Sequence, residues 1–598
     1  MLLDEAQRYL EVVRKRGKAK AGLKRVYENI GKHKGLFVMA YGKLYANTGA
    51  LTPGIDANDT IDGMSLKRIE RIIETLKDET YTWKPTRRTY IPKKNGKKRP
   101  LGIPGWEDKL VQDVLRMVLE AYYEPQFSEH SHGFRPEKGC HTALSDVYYT
   151  WKGVKWFIEG DIKGCFDNID HGMLLETMRR QVKDDRLLRL IKGMLNTGYM
   201  EDWHYHRTYS GTPQGGVISP LLANILLNEF DTYVEKELIP KHTKGDKSKR
   251  KWNPVYQKLN QRAVRAKRRG DVESYKQAIK ERRHVPVFKD DGCTWLKYVR
   301  YADDFLMGFA GKKEEARAIK EEIGTYLERL KLEMSDEKTV ITHSGTEKAR
   351  FLNYHLNTMW EDAEIRSCGI GKGRSLNGKI SLTIPDDVLR RHESKVRKKG
   401  RVIHLPAWRN NSDYDIIMAY EVKMQGLINY YEMAHDVVVK MGKLRYVYEE
   451  SLLKTLASKH KDAVSKIKRK YRRRLADGRQ VIAVEVKREQ KKPLVAMYGK
   501  QPITHTRNVR IRDDVVELHT GRNELVNRLL HNTCEICGSH DDVQGHHIRK
   551  LADLKQYEGK ERPEWVKRMA AMRRKTLFVC KRHHEEIHQG KYDGARIT

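Results

Sequence analysis

The stretch VRYADDFLMGF, Val299–Phe309, constrains this chain more than any other. Two acids, Asp303 and Asp304, stand side by side between apolar and aromatic runs. Strands are depleted in Asp, and adjacent like charges repel. The flanks LKYVR and FLMGFAG are strand-like, so small Ala302 and the two acids suit the turn of a hairpin, where both carboxylates can leave the core and face a cleft. Hard cations such as Mg²⁺ take oxygen ligands and neutralise clustered carboxylates. Two such ions about 3.5–4 Å apart can clamp the attacking and leaving oxygens of a phosphoryl transfer. EGDIKGCFDNID offers the third carboxylate: Asp161 ends an apolar strand, whereas Asp167 and Asp170 fall beyond it.

The rest of the composition points the same way. The chain has 598 residues and a formal net charge of +37. That length is a prior of about four domains. The excess of Lys and Arg favours a polyanionic partner, most often nucleic acid. Seven cysteines are few, and Cys140, Cys165, Cys293 and Cys368 stand alone, so a secreted disulfide framework is excluded and a reducing compartment expected. MLLDEAQRYLEVVRKRGK mixes charges through its apolar positions and is no signal peptide. No apolar run approaches the ~20 residues of a membrane helix.

Along the chain, residues 1–80 read as an N-terminal helical extension. RRTYIPKKNGKKRPLGIPG reads as strand, basic turn and strand; WEDKLVQDVLRMVLEAYYEPQF as a long helix; GTPQGGVISPLLANILLNEFD as a Gly/Pro loop opening an apolar helix. Lys241–Arg283 is very basic and reads as an insertion or helical arm, equally compatible with a phosphate-contacting surface and a solvated excursion. Residues 385–475 are helical and basic again, around an apolar MQGLINYYEMA that suits core packing. The last seventy residues hold CEICG and CKRHHEEIH; Cys534, Cys537, Cys580 and His583 give a four-ligand set with zinc-finger spacing.

Taken in order, these segments resemble the reverse transcriptases, and most closely the group II intron-encoded proteins. YADD resembles the palm hairpin, GDIKGCFDNID the first metal-binding strand, SGTPQGGVISPLLANILLN the motif between them, and IPKKNGKKRPLGIP the fingers hairpin over the incoming nucleotide. The resemblance implies an α+β multidomain protein. Fingers and palm of a right-hand polymerase would occupy 81–375, with the basic insertion at about 240–290. A helical thumb (maturase domain X) would follow at 376–477, a small DNA-binding region at 478–530, and a ββα-metal H-N-H nuclease domain at 531–598.

By that resemblance Asp161, Asp303 and Asp304 bind two Mg²⁺, and Ile162 offers its backbone carbonyl. Lys93 and Arg99 pair with the triphosphate, Phe166 is the steric gate against a 2′-hydroxyl, and Gln214 packs on the incoming nucleotide. Gly215 and Gly216 allow close backbone approach, and Tyr301 borders the primer end or the core. VQGHHIRKL and the i, i+4 pair His584 and His588 resemble the H-N-H endonucleases. There His547 would be the general base, and His546, His584 and His588 would hold a divalent metal, Mg²⁺ again, beside a structural Zn²⁺ on the cysteine set. Two positions depart from that pattern: Thr576 stands for the middle Asn, and His583 for a fourth cysteine.

The implied protein is multifunctional. It reverse-transcribes the intron RNA, assists its splicing as a maturase, and nicks a DNA target to make the primer, the steps of retrohoming. Its partners would be the group II intron RNA, the DNA target duplex and dNTPs, with no membrane; a homodimer is compatible. The implied location is the bacterial cytoplasm at the nucleoid, or an organelle, and not the secreted space. The alternatives are an RNA chaperone without nuclease activity and a reverse transcriptase of another class.

Overall fold

The computed structural model describes residues 2–592, except 46, 48, 93–95, 97, 203, 209, 212–214, 246–250, 284, 286–288, 290, 291, 336, 360–365, 369, 370, 374–376, 489, 490, 508–523, 549–564, 568 and 570–574. Its centre is a four-stranded antiparallel sheet in the order Trp295–Tyr301, Asp304–Ala310, Trp156–Asp161, Val340–His343. Side chains on a strand alternate between faces. Ile158, Tyr298, Phe305 and Met307 enter one core, shared with the fingers, the N-terminal helices and the apolar helix Ser219–Tyr233. Phe157, Val299 and Leu306 enter a second core, shared with the thumb. The sheet is buried on both faces, which explains its near-continuous apolar strands.

Arg300 on the first hairpin strand is fully buried. Its guanidinium donates to both carboxylate oxygens of buried Asp231 at 2.7 and 2.6 Å, and Tyr298 Oη donates to the same carboxylate at 2.6 Å. It also donates to the Ala302 carbonyl at 2.7 Å, Ser131 Oγ at 2.9 Å and Asn224 Oδ1 at 3.2 Å. The turn that carries the acids is therefore anchored from below.

The fingers form a second sheet, Lys98–Ile103, Thr86–Pro92, Tyr199–Glu201, His204–His206, with the second and third strands parallel. The basic arm is a helical hairpin, Pro254–Arg269 and Val272–Arg283, turned at Gly270. The thumb carries Asp413–Tyr431, Val437–His460 and Val464–Tyr471. Ile428 and Tyr431 of the GLINYY segment are core, as its apolarity suggests. The boundary expected at 477/478 falls inside one sheet: Arg472–Arg474 pairs with Gln480–Arg488, which pairs with Lys491–Tyr498. Ile482, Ala496 and Tyr498 lie in the thumb core, so this hairpin is structurally part of the thumb.

The C-terminal unit is a ββα arrangement, Val543–His547, Thr576–Cys580 and Lys581–His588. It docks not on the thumb but on the start of the chain. Leu525, Val526, Leu529 and Phe578 share one core with Leu36, Phe37, Ala40 and Tyr41. Among the described residues, no helix is long and apolar enough to cross a membrane.

Replacing Arg300 alone leaves Asp231 as an uncompensated buried charge, which typically costs about 3–5 kcal/mol. Arg300→Met is expected to lower the urea midpoint of the palm transition accordingly and to abolish polymerisation; an unchanged midpoint would contradict the anchoring role.

Candidate functional site

The palm hairpin turns over two residues, Ala302 and Asp303, because Tyr301 pairs directly with Asp304. Ala302 takes the left-handed conformation, φ 57°, a strained position for a residue with a Cβ. Its carbonyl is the one held by Arg300. On the other side Asp304 pairs with Asp161. Gly160, just before, is required: a Cβ there would lie 2.0 Å from the Phe305 ring. Ile162 is buried, and its N–H donates to the Asp303 carbonyl at 3.3 Å, tying the first strand's end to the turn.

The three carboxylates thus meet at one end of the sheet. Burial, the charges of Asp303 and Asp161, and a hydrogen bond that the protonated Asp304 carboxyl donates to Asp161 push Asp304 up to about 7. Burial, with Asp161 adding to it, also raises Asp303. Lys338, which sequence reasoning missed, reaches Asp161 Oδ2 at 2.7 Å. This all-oxygen cluster fits hard divalent cations. Arg99 lies exposed on the fingers strand, close enough for its charge to act on Asp303. Phe166 stands edge-to-face with Phe134, ring centroids 6.2 Å apart, in a crevice that also takes in Ala223, Asn224 and Asp303. Lys93 and Gln214 lie outside the described residues.

In the C-terminal unit, the ligand atoms of Cys534, Cys537, Cys580 and His583 all lie within 4.8 Å of one another. The separations include Cys534 Sγ to His583 Nδ1 at 3.6 Å, Cys580 Sγ to the same nitrogen at 3.2 Å, and Cys537 Sγ to Cys580 Sγ at 4.0 Å. Bonds of about 2.0–2.3 Å to a tetrahedral ion require edges of this size, so the set fits Zn²⁺.

A second cluster lies on the other side of the same unit. His546, His584 and His588 are gathered as the resemblance implied, and a fourth group joins them from the N-terminal extension: Asp62. Asp62 Oδ2 is 2.7 Å from His588 Nε2, and Oδ1 is 3.4 Å from His584 Nε2 and 3.7 Å from His546 Nδ1. Among the described residues neither ring nitrogen of buried His546 has a hydrogen-bond partner, so one of them is free to ligate an ion. Burial would raise the Asp62 carboxyl, but the hydrogen bonds from His584 and His588 outweigh it and hold it below the usual range. His547 is not in this cluster. Its Nδ1 meets Thr576 Oγ1 at 2.9 Å and its Nε2 meets Tyr41 Oη at 3.0 Å. Burial pulls it down to about 3, so the ring is neutral near pH 7. Thr576 thereby orients that ring.

With this geometry in hand, comparison with known proteins is specific. A reverse transcriptase (RNA-dependent DNA polymerase) model matches residues 91–356, a type II intron maturase model 387–504, and an AI2M/AI1M-like HNH endonuclease model 534–584. The chain is 39% identical over 576 residues to the group II intron-encoded protein LtrA of Lactococcus lactis subsp. cremoris, an alignment spanning 93% of this chain and 94% of that protein. The chain belongs to the group II intron-encoded proteins. It is also 32% identical to an uncharacterized 91 kDa protein in a cob intron of Schizosaccharomyces pombe, over 95% of this chain and 70% of that one. Identity to a putative COX1/OXI3 intron 1 protein of Saccharomyces cerevisiae is 30%, over 94% and 69%. As a group II intron-encoded protein it joins a reverse transcriptase, a maturase and an H-N-H endonuclease in one chain, and it binds intron RNA and DNA. Both enzyme families use divalent metal ions. That membership speaks against the alternatives of an RNA chaperone without nuclease activity and of another reverse transcriptase class.

The raised Asp304 carries a stability consequence. Between its ordinary 3.8 and about 7, the folded metal-free chain holds a proton that the unfolded chain has lost. That contribution is full at low pH and is lost as pH rises through about 7. Mg²⁺ takes over the proton's role, so scanning calorimetry is expected to show a larger Mg²⁺-induced rise in unfolding temperature at about pH 7.5 than at about pH 5. Equal rises at both would contradict it.

Proposed function

We propose that Asp161, Asp303 and Asp304 form the polymerase centre that copies the intron RNA, and that His547 with His546, His584 and His588 forms the nuclease centre that makes the primer end. The observation supporting the first assignment is the strand register, which sets Asp161 opposite Asp304 with Asp303 on the turn between. Two Mg²⁺ held by these acids would supply activation of the primer 3′-hydroxyl and charge neutralisation on the departing pyrophosphate.

The protein's own contribution is positioning and electrostatics. The Arg300 network fixes the turn. Ile162 ties its backbone to Asp303, and its carbonyl would complete the metal ligands. Arg99 would take the triphosphate of a dNTP with a planar guanidinium, with Lys93 beside it. Phe166 would press against the sugar and exclude a 2′-hydroxyl, and Gln214 would pack on the incoming nucleotide. Lys338 pairs with Asp161 Oδ2 at 2.7 Å and so holds that carboxylate in place at the strand end.

In the thumb, Lys468, Arg469, Arg472, Arg473 and Arg474 line an open groove that suits the phosphates of intron RNA. Cys534, Cys537, Cys580 and His583 would hold a structural Zn²⁺ that fixes the nuclease strands. At the nuclease centre three imidazoles would favour Zn²⁺ most, with Mn²⁺ and Mg²⁺, which prefer oxygen ligands, bound more weakly. His547, oriented by Thr576, would take the proton of the attacking water. The setting would be a bacterial cytoplasm or an organelle that houses the intron; a homodimer on that RNA fits this role.

Primer extension on an RNA template with purified protein tests the first centre. Asp303→Ala is expected to lower cDNA synthesis by at least about a thousandfold while leaving intron RNA affinity unchanged; lost RNA affinity counts against the assignment. In a target-nicking assay, His547→Ala is expected to abolish cleavage with primer extension retained, and unchanged nicking would sink the base assignment.

A further inference from the structure

The nuclease centre as folded is closed by the other end of the chain. Asp62 lies on the Asp-Gly turn that joins the early helices to Leu66–Lys77. Gly63 takes φ 74°, the left-handed conformation that glycine adopts without strain, and so turns the chain beside His584. Two backbone bonds lock it there: Gly63 N–H to Gly545 O at 3.0 Å and Gly545 N–H to Met64 O at 2.9 Å. The Asp62 carboxylate also accepts the His547 backbone N–H at 2.7 Å. It thus sits at once among three metal-ligating imidazoles and against the base. From the helix Lys34–Leu44, the Tyr41 hydroxyl occupies the remaining His547 ring nitrogen, the atom that would have to receive a proton from water.

Three imidazoles and one carboxylate are a full tetrahedral set, and catalytic sites of this kind leave one position open for water or substrate. The scissile phosphate brings anionic oxygens of the same charge and donor type as Asp62. The two ligands therefore compete for one place.

We propose that the N-terminal extension is a latch on the nuclease: Asp62 is a fourth, displaceable ligand of the nuclease metal, Tyr41 caps His547, and bound DNA must push this turn aside before the strand is cut. This rests on reading His546, His584 and His588 as the metal ligands. It couples the two enzymes physically, since the latch belongs to the same core as the fingers and palm. A nick made away from the target would then be suppressed while the chain is free.

The test uses the full chain with its Zn²⁺ site loaded. Mn²⁺ binding is measured by calorimetry for the native chain, Asp62→Asn and His588→Ala, with the polymerase acids occupied by Mg²⁺. Nicking of non-target supercoiled plasmid is measured at saturating Mn²⁺ for the native chain, Asp62→Asn and Tyr41→Phe. Zn²⁺ content and primer extension report on folding. The latch requires Asp62→Asn to weaken Mn²⁺ binding by at least about tenfold, and both Asp62→Asn and Tyr41→Phe to raise non-target nicking. Unchanged Mn²⁺ affinity in Asp62→Asn, with a loss in His588→Ala, overturns Asp62 as a ligand. Weakened binding with nicking that fails to rise overturns the latch. Unchanged affinity in both variants overturns the histidine reading on which it rests.

Discussion

The buried pair of Arg300 and Asp231 is the interaction on which the polymerase depends. It is fully enclosed on both sides and so costly to desolvate that only its geometry justifies it. Arg300 directs five hydrogen bonds at a carboxylate, a hydroxyl, an amide oxygen and the carbonyl of Ala302. The result is a strained two-residue turn with no freedom left. Two carboxylates that repel one another can be presented to solvent at a fixed spacing only if the backbone beneath them cannot relax. The palm sheet, packed on both faces, supplies that rigidity, and the third acid arrives by strand register rather than by a separate loop.

The same logic recurs at the far end of the chain with different chemistry. There the rigid element is the ββα unit, on which three cysteines and a histidine converge, and the neighbouring groups are imidazoles. Thr576 orients His547 and the helix Lys581–His588 presents His584 and His588 one turn apart. What has no counterpart in the palm is the carboxylate from outside. Asp62 reaches the histidine cluster from the N-terminal extension, so an early segment and a late segment of the chain meet there.

Much of the first centre was legible because its residues are local signatures. Two adjacent acids between apolar strands cannot be core, and an acid at the end of another apolar strand is their natural partner. The grouping of Cys534, Cys537, Cys580 and His583 was equally readable, since their paired spacing brings two half-sites to one strand–helix unit. Asp62, Tyr41, Lys338 and Asp231 were not. Each lies in an ordinary local context, a turn, a helix or a strand approach, and acquires its role only through contacts hundreds of residues away or across a core. Asp62 in TIDGMS looks like any Asp-Gly turn. The thumb boundary was misplaced within a sheet for a related reason: Arg472–Arg474 reads as a basic helix end, and its pairing with Gln480–Arg488 is a tertiary fact.

The central claim is that Asp161, Asp303 and Asp304 jointly hold two divalent ions. Electron paramagnetic resonance of Mn²⁺ tests it directly, on full-length protein carrying His546→Ala and His588→Ala to silence the nuclease centre, with an RNA template, a DNA primer and a non-incorporable dNTP analogue. The account predicts two exchange-coupled Mn²⁺ ions about 3.5–4 Å apart, reduced to an uncoupled signal or none by Asp304→Asn. A single isolated Mn²⁺ in the native palm, or a coupled pair that survives Asp304→Asn, would contradict it.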